Sequence, residues 1–331
     1  MINRMEEIIR KELRMLAPLA VLVGGFFLAG AGCGNGDVLV VPHQERWGIY
    51  TLDLSTEKVE RIHGAGTEIA GIDLDGAGTN LAFLLKGGAE MIDASSEIYT
   101  VGTDGANLKR LTNNAYFDAY PSFSPDGSNI AFLSRRSSTL DLYVMQADGS
   151  KQRKLYDSGG NDADVDWGSN GMTFSRENKI WSLQSDGTHP LKITDPPDAG
   201  RQGTANLPVG DYDARLSPDG SKIVFERLED PNAVHGGYDL FVINSDGTGE
   251  TRLTNNGYAQ GMPSWSHAGD KIAYVVAAIN EQGKFDIHIM NADGTNDRNI
   301  MPAFFPDSFL AHQAIFSKDD SKIFFIGEWW E

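Results

Sequence analysis

The strongest constraint on the fold of this chain is a segment that recurs, in stronger and weaker copies, along most of its length. The best-preserved copy is residues 121–156. Within it, the turns Pro125-Asp126-Gly127 and Asp148-Gly149 separate runs that are rich in aromatic and β-branched residues. Glycine adopts the positive φ that tight turns need, and aspartate bonds its own backbone there. Each copy therefore predicts four short β-strands.

The copies are regularly spaced along the chain. The residue that ends the predicted second strand recurs at intervals of roughly 40 to 50 residues, at Phe83, Phe132, Phe174, Phe225, Tyr274 and Phe325. Four-stranded repeats of this length are typical of propeller blades, because neighbouring blades bury the faces that a single blade exposes. We predict an all-β fold, a six-bladed β-propeller of four-stranded antiparallel blades over residues 48–331.

The last copy contains only two strands, at 314–317 and 322–326. The segment 48–62 matches the two strands that this copy lacks. We therefore expect the ring to be closed by N- and C-terminal strands, which removes a sheet edge. Residues 38–41 are left as a linker or an accessory strand.

The repeat resembles that of the TolB propeller and its relatives, also described as PD40 or WD40-like repeats. The resemblance rests on Phe123 to Phe132 with Asp141 to Ser150, and on Leu216 to Phe225 with Asp239 to Thr248. It covers roughly residues 48–326 and implies a propeller that binds another envelope protein. Few residues lie between Cys33 and the first predicted strand, so we expect no α/β domain of the kind that precedes the propeller in TolB.

The N-terminal segment has the pattern of an export signal. Residues 1–14 carry Arg and Lys, residues 15–32 carry no charge, and Leu28 to Cys33 resemble the lipobox of bacterial lipoproteins. We predict a signal peptide or membrane anchor at 1–32, lipidation at Cys33 and a tether at 33–47. The protein would be exported and anchored by lipid to a membrane, periplasmic or at the cell surface. The alternative is an uncleaved membrane-spanning helix.

The net charge and the motifs of the chain argue against several classes of function. The formal charge of −18 argues against nucleic acid as a partner, because an acidic domain repels phosphates. The sequence contains no nucleophile elbow, zinc-protease motif or phosphate-binding loop, and its seven histidines show no spacing suited to zinc. We therefore expect no catalytic residues and no cofactor. We also expect the protein to be a monomer.

The candidate binding residues precede the innermost strands and recur from copy to copy. We expect them to surround one mouth of the central channel, where their negative potential would hold a basic peptide segment or a cation. They are Glu68, Asp118, Asp162, Asp164, Asp211, Asp213, Gln260 and His312. The alternative is that each side chain caps a local turn. Arg135 and Arg136, in a loop predicted on the same side, join the candidate site, and the long loops 228–237 and 279–284 lie on that side too.

These observations predict a non-catalytic binding or scaffold protein of the cell envelope, with a protein or peptide partner. One alternative is a metal-dependent carbohydrate-active enzyme, since some relatives of this repeat are polysaccharide lyases that use a metal and histidines in the channel. Here only His312 is a candidate channel histidine. The other alternative is a structural calcium ion in the channel.

Overall fold

The computed structural model describes residues 45–87, 96–203, 207–232, 237–278, 284–306 and 308–329. The predictions for the segment 1–32, for Cys33 and for residues 38–41 lie outside these ranges, as do parts of the tether 33–47 and of the loops 228–237 and 279–284. The described residues contain strands and turns but no helix. Within these ranges there is accordingly no helix of the length and apolar character needed to cross a membrane.

The strands follow one another closely along the chain. The first twelve are β1 (Trp47–Asp53), β2 (Val59–Ala65), β3 (Ile69–Leu74), β4 (Asn80–Leu85), β5 (Glu97–Gly102), β6 (Lys109–Arg110), β7 (Asp118–Phe123), β8 (Asn129–Ser134), β9 (Asp141–Gln146), β10 (Arg153–Tyr156), β11 (Asp162–Gly168) and β12 (Gly171–Arg176). The others are β13 (Lys179–Leu183), β14 (Leu191–Lys192), β15 (Gly210–Leu216), β16 (Lys222–Leu228), β17 (Tyr238–Asn244), β18 (Thr251–Arg252), β19 (Ala259–Trp265), β20 (Lys271–Ala278), β21 (Lys284–Asn291), β22 (Arg298–Asn299), β23 (Phe309–Phe316) and β24 (Lys322–Trp329).

The arrangement of these strands into sheets corrects the predicted blade count. Four antiparallel sheets of four strands are formed, by β3 to β6, β7 to β10, β11 to β14 and β15 to β18. The other eight strands form one continuous sheet in the order β19-β20-β21-β23-β24-β1-β2, with β22 beside β21. The prediction of six four-stranded blades is therefore wrong, because only four sheets are of that kind.

The eight-stranded sheet results from a parallel contact between two strands, which the repeat period does not predict. Phe285 of β21 pairs with Leu310 of β23. Both strands are eight residues long, whereas the first strands of the four separate sheets have six or seven. At this contact the pairing continues across a boundary that stays open between the other sheets.

The two ends of the described chain meet in this eight-stranded sheet. β1 pairs antiparallel with β24 from Trp47 opposite Glu328 to Asp53 opposite Lys322, and β2 pairs with the other side of β1. The backbone N–H of Trp329 also donates to the carbonyl of Arg46 at 2.9 Å. N- and C-terminal strands thus share one sheet, as the incomplete last copy of the repeat predicts.

The first strands of successive repeats surround an axis. β3, β7, β11, β15, β19 and β23 contact one another in this order, and β23 contacts β3. Neighbouring sheets bury their apolar faces against each other, as where Ile98 packs with Phe123 and Phe132 of the next sheet. The aromatic residue that marks the sequence period is fully buried in every copy. Burial of such a side chain contributes about 1.5–3 kcal/mol, so the repeated residue also supplies much of the packing energy.

Each of these inner strands contains a β-bulge. One extra residue interrupts its register with the next strand at the same place in every copy, for example between Asp73 and Ala70 in β3. In five of the six strands the bulge has a left-handed residue, with φ between 49° and 63°, at Gly71, Tyr120, Asp164, Asp213 and Met262. Because side chains alternate along a strand, one extra residue changes which of the preceding side chains face the axis.

Candidate ligand-binding channel

A cavity of about 490 Å³ lies on the axis, and every inner strand contributes to its wall. It extends from the turns that follow the inner strands, where Pro125, Pro218 and Lys318 lie, to the level of the bulges. Its polar lining includes both charged and uncharged side chains. The polar and aromatic residues that matter below are Asp73, Asp164, Asp166, Asp213, Arg215, His312, Gln313, Tyr120, Trp167 and Trp265.

Two aspartates occupy the left-handed bulge position. Asp164 and Asp213 are both nearly buried yet line the cavity. The backbone N–H of Asp213 lies 3.5 Å from Asp164 Oδ2. Burial raises the pKa of both carboxyl groups, and the charge of Asp164 helps to raise the pKa of Asp213 to about 7. Burial and the mutual repulsion of the two carboxylates therefore both favour the protonated form of Asp213.

Asp73 and Asp166 stand two residues beyond the bulge position and connect neighbouring sheets. Asp73 Oδ2 accepts a hydrogen bond from the backbone N–H of Phe123 at 2.6 Å. Asp166 Oδ2 accepts one from the N–H of Leu216 at 2.8 Å. Burial raises the pKa of both groups, and the charge of Asp166 helps to raise the pKa of Asp73 to about 7. Each carboxylate therefore has a structural contact and also faces the channel.

Arg215 is the cation among these acids. Its Nη1 donates to the carbonyl of Ala214 at 3.2 Å, and within the described residues its interactions with the surrounding acids are electrostatic, without an ion pair closer than 4 Å. Burial lowers the pKa of the guanidinium, but the charges of Asp166, Asp213, Asp73 and Asp164 raise it by more. Arg215 thus stays charged and keeps donor groups available to a ligand in the cavity.

Glu226, on β16, stands behind the two bulge aspartates. It is 2% exposed, and its Oε2 accepts a hydrogen bond from the backbone N–H of Met262 at 2.9 Å. Burial raises the pKa of this carboxyl well above its usual value, and the charges of Asp213 and Asp164 add to the effect. Five acids and one arginine therefore meet between β3, β11, β15 and β16.

The cavity wall contains three of the eight residues that were predicted at the channel mouth. Asp164, Asp213 and His312 line the cavity, whereas Asp118, Asp162, Asp211, Gln260 and Glu68 do not. That all eight residues surround one mouth of the channel stays a prediction.

Two of these aspartates are bound by arginine. Asp118 accepts from Arg136 Nη2 at 2.7 Å and from Asn114 Nδ2 at 2.6 Å, and the Ser134 hydroxyl also contacts it. Asp211 accepts from Arg227 Nε at 2.5 Å and from its Nη2 at 3.0 Å. Local pairing, the alternative considered for these positions, therefore describes both carboxylates.

The remaining predicted residues have diverse surroundings. Lys86 Nζ lies 3.2 Å from Glu68 Oε2, and Gln260 Nε2 donates to Asn256 Oδ1. His312 Nε2 lies 3.3 Å from Glu328 Oε2, and its ring stacks on Trp47.

Asp162, at the same strand position as Asp118 and Asp211, has no hydrogen bond to its carboxylate within the described residues. Burial raises its pKa to about 7, and the Ser158 hydroxyl and Arg176 oppose this shift.

The two loop arginines differ from each other. The backbone N–H of Arg135 donates to the carbonyl of Phe117 at 3.0 Å. Arg136 lies over the rings of Phe132 and Tyr143, at 5.4 and 5.2 Å, while it holds Asp118. Such stacking fixes its guanidinium. Binding of a partner by any residue of the predicted set stays a prediction.

The sequence analysis missed Asp73, Asp166, Arg215 and Glu226. A signal for the first three exists in the repeat. Each stands two residues before the residue that opens the following turn. Ser122 and Ser264 occupy the equivalent position in two other copies of the repeat. A charged residue at that position of the repeat, inside an otherwise apolar strand, indicates a side chain that faces a channel. Glu226 has no such signal, because only the packing of β16 behind β15 brings it to the site.

A metal ion has no ready set of ligands here. In the described ranges, no three His, Cys, Asp or Glu side chains are arranged around a point where they could hold one. A calcium ion in the channel stays a prediction.

Comparison with known proteins supports the repeat assignment. Residues 38–185 match the family model described as the TolB β-propeller domain. A TolB homologue from Chlorobium luteolum is 30% identical over 161 residues, which cover 47% of this chain and 33% of that protein. The chain thus spans about a third of the length of this relative, and less than two thirds of two further ones.

Solved structures show the same fold at low sequence identity. A putative TolB from Agrobacterium tumefaciens superposes with a TM-score of 0.65 and 17% identity over 87% of this chain and 99% of the other. An oligogalacturonate lyase in complex with manganese superposes with a TM-score of 0.54 and 12% identity, over 86% and 83% of the two chains. At these identities the likeness concerns the fold alone.

Proposed function

Because this chain is a TolB-like β-propeller repeat protein, we propose that it is a non-catalytic binding protein of the cell envelope. Its ligand is a segment of a protein or peptide, which enters the central channel. The proposal is supported by the family resemblance and by the chemistry of the channel wall.

The observation that carries the proposal is the combination of an open axial cavity with charged side chains that face it. Arg215 is without an ion pair in the described chain, and Asp213 is without a hydrogen bond to its carboxylate. Buried polar groups are normally satisfied by protein, water or ligand. A peptide offers both charges and backbone groups, so it can complement the arginine and the acids at once.

The test is capture of partners from a cross-linked envelope extract with the full chain. Asp166→Asn with Arg215→Gln removes two channel charges, and the asparagine keeps an acceptor for the N–H of Leu216. The control is Asp246→Asn, an exposed aspartate in the turn after β17. We expect the channel variant to lose at least one captured protein about tenfold while the control keeps it. Equal capture by all three proteins would place the binding surface elsewhere.

The lack of catalysis is part of the same proposal and needs its own test. The manganese-bound lyase that shares the fold makes a polysaccharide lyase the alternative. The assay is the viscosity of a uronic acid polymer incubated with the full chain and manganese. We expect no loss of viscosity. A loss that a chelator abolishes would favour the enzyme.

We also propose that the chain is exported and held on a membrane through lipid on Cys33. The support is the resemblance of Leu28 to Cys33 to a lipobox. In cells that carry the gene, Cys33→Ser is expected to abolish incorporation of labelled fatty acid and to release the protein from the membrane fraction. Labelling that survives the substitution would reject the anchor.

A further inference from the structure

A second, smaller cavity lies between the sheets that begin with β11 and β15. Its volume is about 20 Å³, enough for a group the size of one water molecule. Asp164 and Asp213 line this cavity and the axial channel alike, so they form the wall between the two. Glu226, Ser175 and Tyr212 complete the part of the lining that is used below.

Three carboxyl groups face this small space, and two of the groups around it have no partner. Asp213 is 7% exposed, and its carboxylate accepts no hydrogen bond in the described part of the chain. Ser175 is 3% exposed, and its Oγ makes no hydrogen bond of normal length within the described residues, although it lies close enough to Asp164 to lower the pKa of that carboxyl group. A buried polar group without a partner costs about 1–3 kcal/mol, so Ser175 Oγ favours a small hydrogen-bonding ligand in this cavity.

We propose that the cavity is a socket for a primary ammonium group, which Asp164, Asp213 and Glu226 neutralise and which Ser175 Oγ helps to coordinate. The proposal deepens the proposed function, because the ammonium belongs either to a lysine of the bound segment or to a small free amine. The chemistry is the same for both sources.

The geometry favours an ammonium over a metal ion. A metal needs oxygen ligands gathered at about 2.0–2.6 Å, and the acids of the described chain are not gathered around a common point in that way. An ammonium donates three hydrogen bonds, each about 2.7–2.9 Å long, in directions that its rotation adjusts. A neutral water would fill the volume but, unlike a cation, would not favour ionisation of the acids.

Other charged and titratable groups near the socket set its pH dependence. The positive charge of Arg215, on β15, disfavours the binding of a second cation. Tyr212 and Tyr238 stay protonated because burial raises their pKa. Asp211 is already held by Arg227, and Arg176 and Glu177 line the outer edge. The acids are protonated at low pH and must release protons when the ammonium enters. Affinity is therefore expected to rise between about pH 5.5 and pH 8.

The test measures the melting temperature of the full chain with added salts at constant ionic strength. Methylammonium chloride is expected to raise the melting temperature, and more at pH 8 than at pH 5.5, because ligand that binds the folded state stabilises it. Tetramethylammonium chloride, which has no N–H donor, is the matched probe and is expected to have no effect. Equal shifts with both salts would overturn the proposal.

Two variants locate the effect and two further probes identify the source of the ammonium. Asp213→Asn and Glu226→Gln keep size and shape, and each is expected to abolish the methylammonium shift, whereas Asp246→Asn keeps it. A shift that survives in both socket variants would reject the site.

A larger shift with Nα-acetyl-lysine amide than with methylammonium indicates a lysine side chain, provided that the diacetylated form has no effect. The reverse order indicates a free amine. Because no partner protein is present, failure here is distinct from failure of the capture experiment.

Discussion

Asp211 and Asp213 are two residues apart on one strand and have opposite surroundings. Asp211 accepts hydrogen bonds from Nε and Nη2 of Arg227, whose Nη1 and Nη2 also donate to Glu250 at 2.6 and 2.8 Å. Asp213 faces the channel without such a partner. The bulge at Asp213 separates a carboxylate that is paired within the sheet from one that faces the channel.

Removal of the guanidinium from this network should be strongly destabilising. Arg227→Met leaves Asp211 buried and unpaired, and breaking a buried pair in this way costs about 3–5 kcal/mol of the free energy of unfolding. Urea unfolding at neutral pH measures the loss. Lys58→Met, which breaks the exposed pair with Glu60, is the control and is expected to change little. Similar effects of both substitutions would mean that the Arg227 network contributes no more to the free energy of unfolding than an exposed ion pair does.

The buried acids also determine how stability changes with pH. Asp73, Asp162 and Asp213 have a pKa of about 7 in the folded protein, raised from 3.8. Between these values the folded state binds more protons than the unfolded state, so the free energy of unfolding falls as pH rises from about 4 to about 7. Asp213→Asn should make this decline less steep when unfolding is followed by urea titration across that range. A decline as steep as that of the wild type would mean that Asp213 ionises normally.

At the scale of the strand, the recurring bulge is the element on which the channel depends. Its first copy uses Gly71, with φ of 63°, and a Cβ there would lie 3.0 Å from a ring carbon of Tyr120. A residue with a side chain is strained at this φ by about 1–2 kcal/mol.

Gly71→Ala is therefore expected to lower the free energy of unfolding by roughly that amount or more, as measured by urea denaturation. Gly160→Ala is the matched control, because its φ is not positive and its Cβ would meet only Ser158 Oγ at 4.0 Å. If both alanine variants are as stable as the wild type, the bulge tolerates a side chain at this copy.

At the scale of the molecule, the β1 and β24 pair joins the two ends of the described chain. Thr51 lies in β1 between β24 and β2 and is nearly buried. Thr51→Pro removes a hydrogen-bond donor from a central strand, where proline is not tolerated. We expect a large fall in melting temperature with loss of cooperativity, measured by circular dichroism. Thr251→Pro, in the two-residue outer strand β18, should have a much smaller effect. Equal effects would mean that closure adds no more stability than an outer strand does.

The sequence by itself determined the local elements. The aspartate and glycine turns, the period of buried aromatic residues and the two-strand remnant at the end of the chain sufficed for the propeller fold and for the pairing of its termini. These features were readable because they depend on residues close together in the chain and repeat at one spacing.

Tertiary structure alone decided the sheet count and the lining of the channel. The contact of Phe285 with Leu310 merges two sets of strands, and it joins residues from different copies of the repeat. The bulge changes the alternation of side chains by one, which places Asp211 inside its sheet and Asp213 in the channel. Glu226 reaches the same site from another strand, across an interface between sheets. Such placements depend on register and packing between distant segments, and the local pattern of a sequence does not encode them.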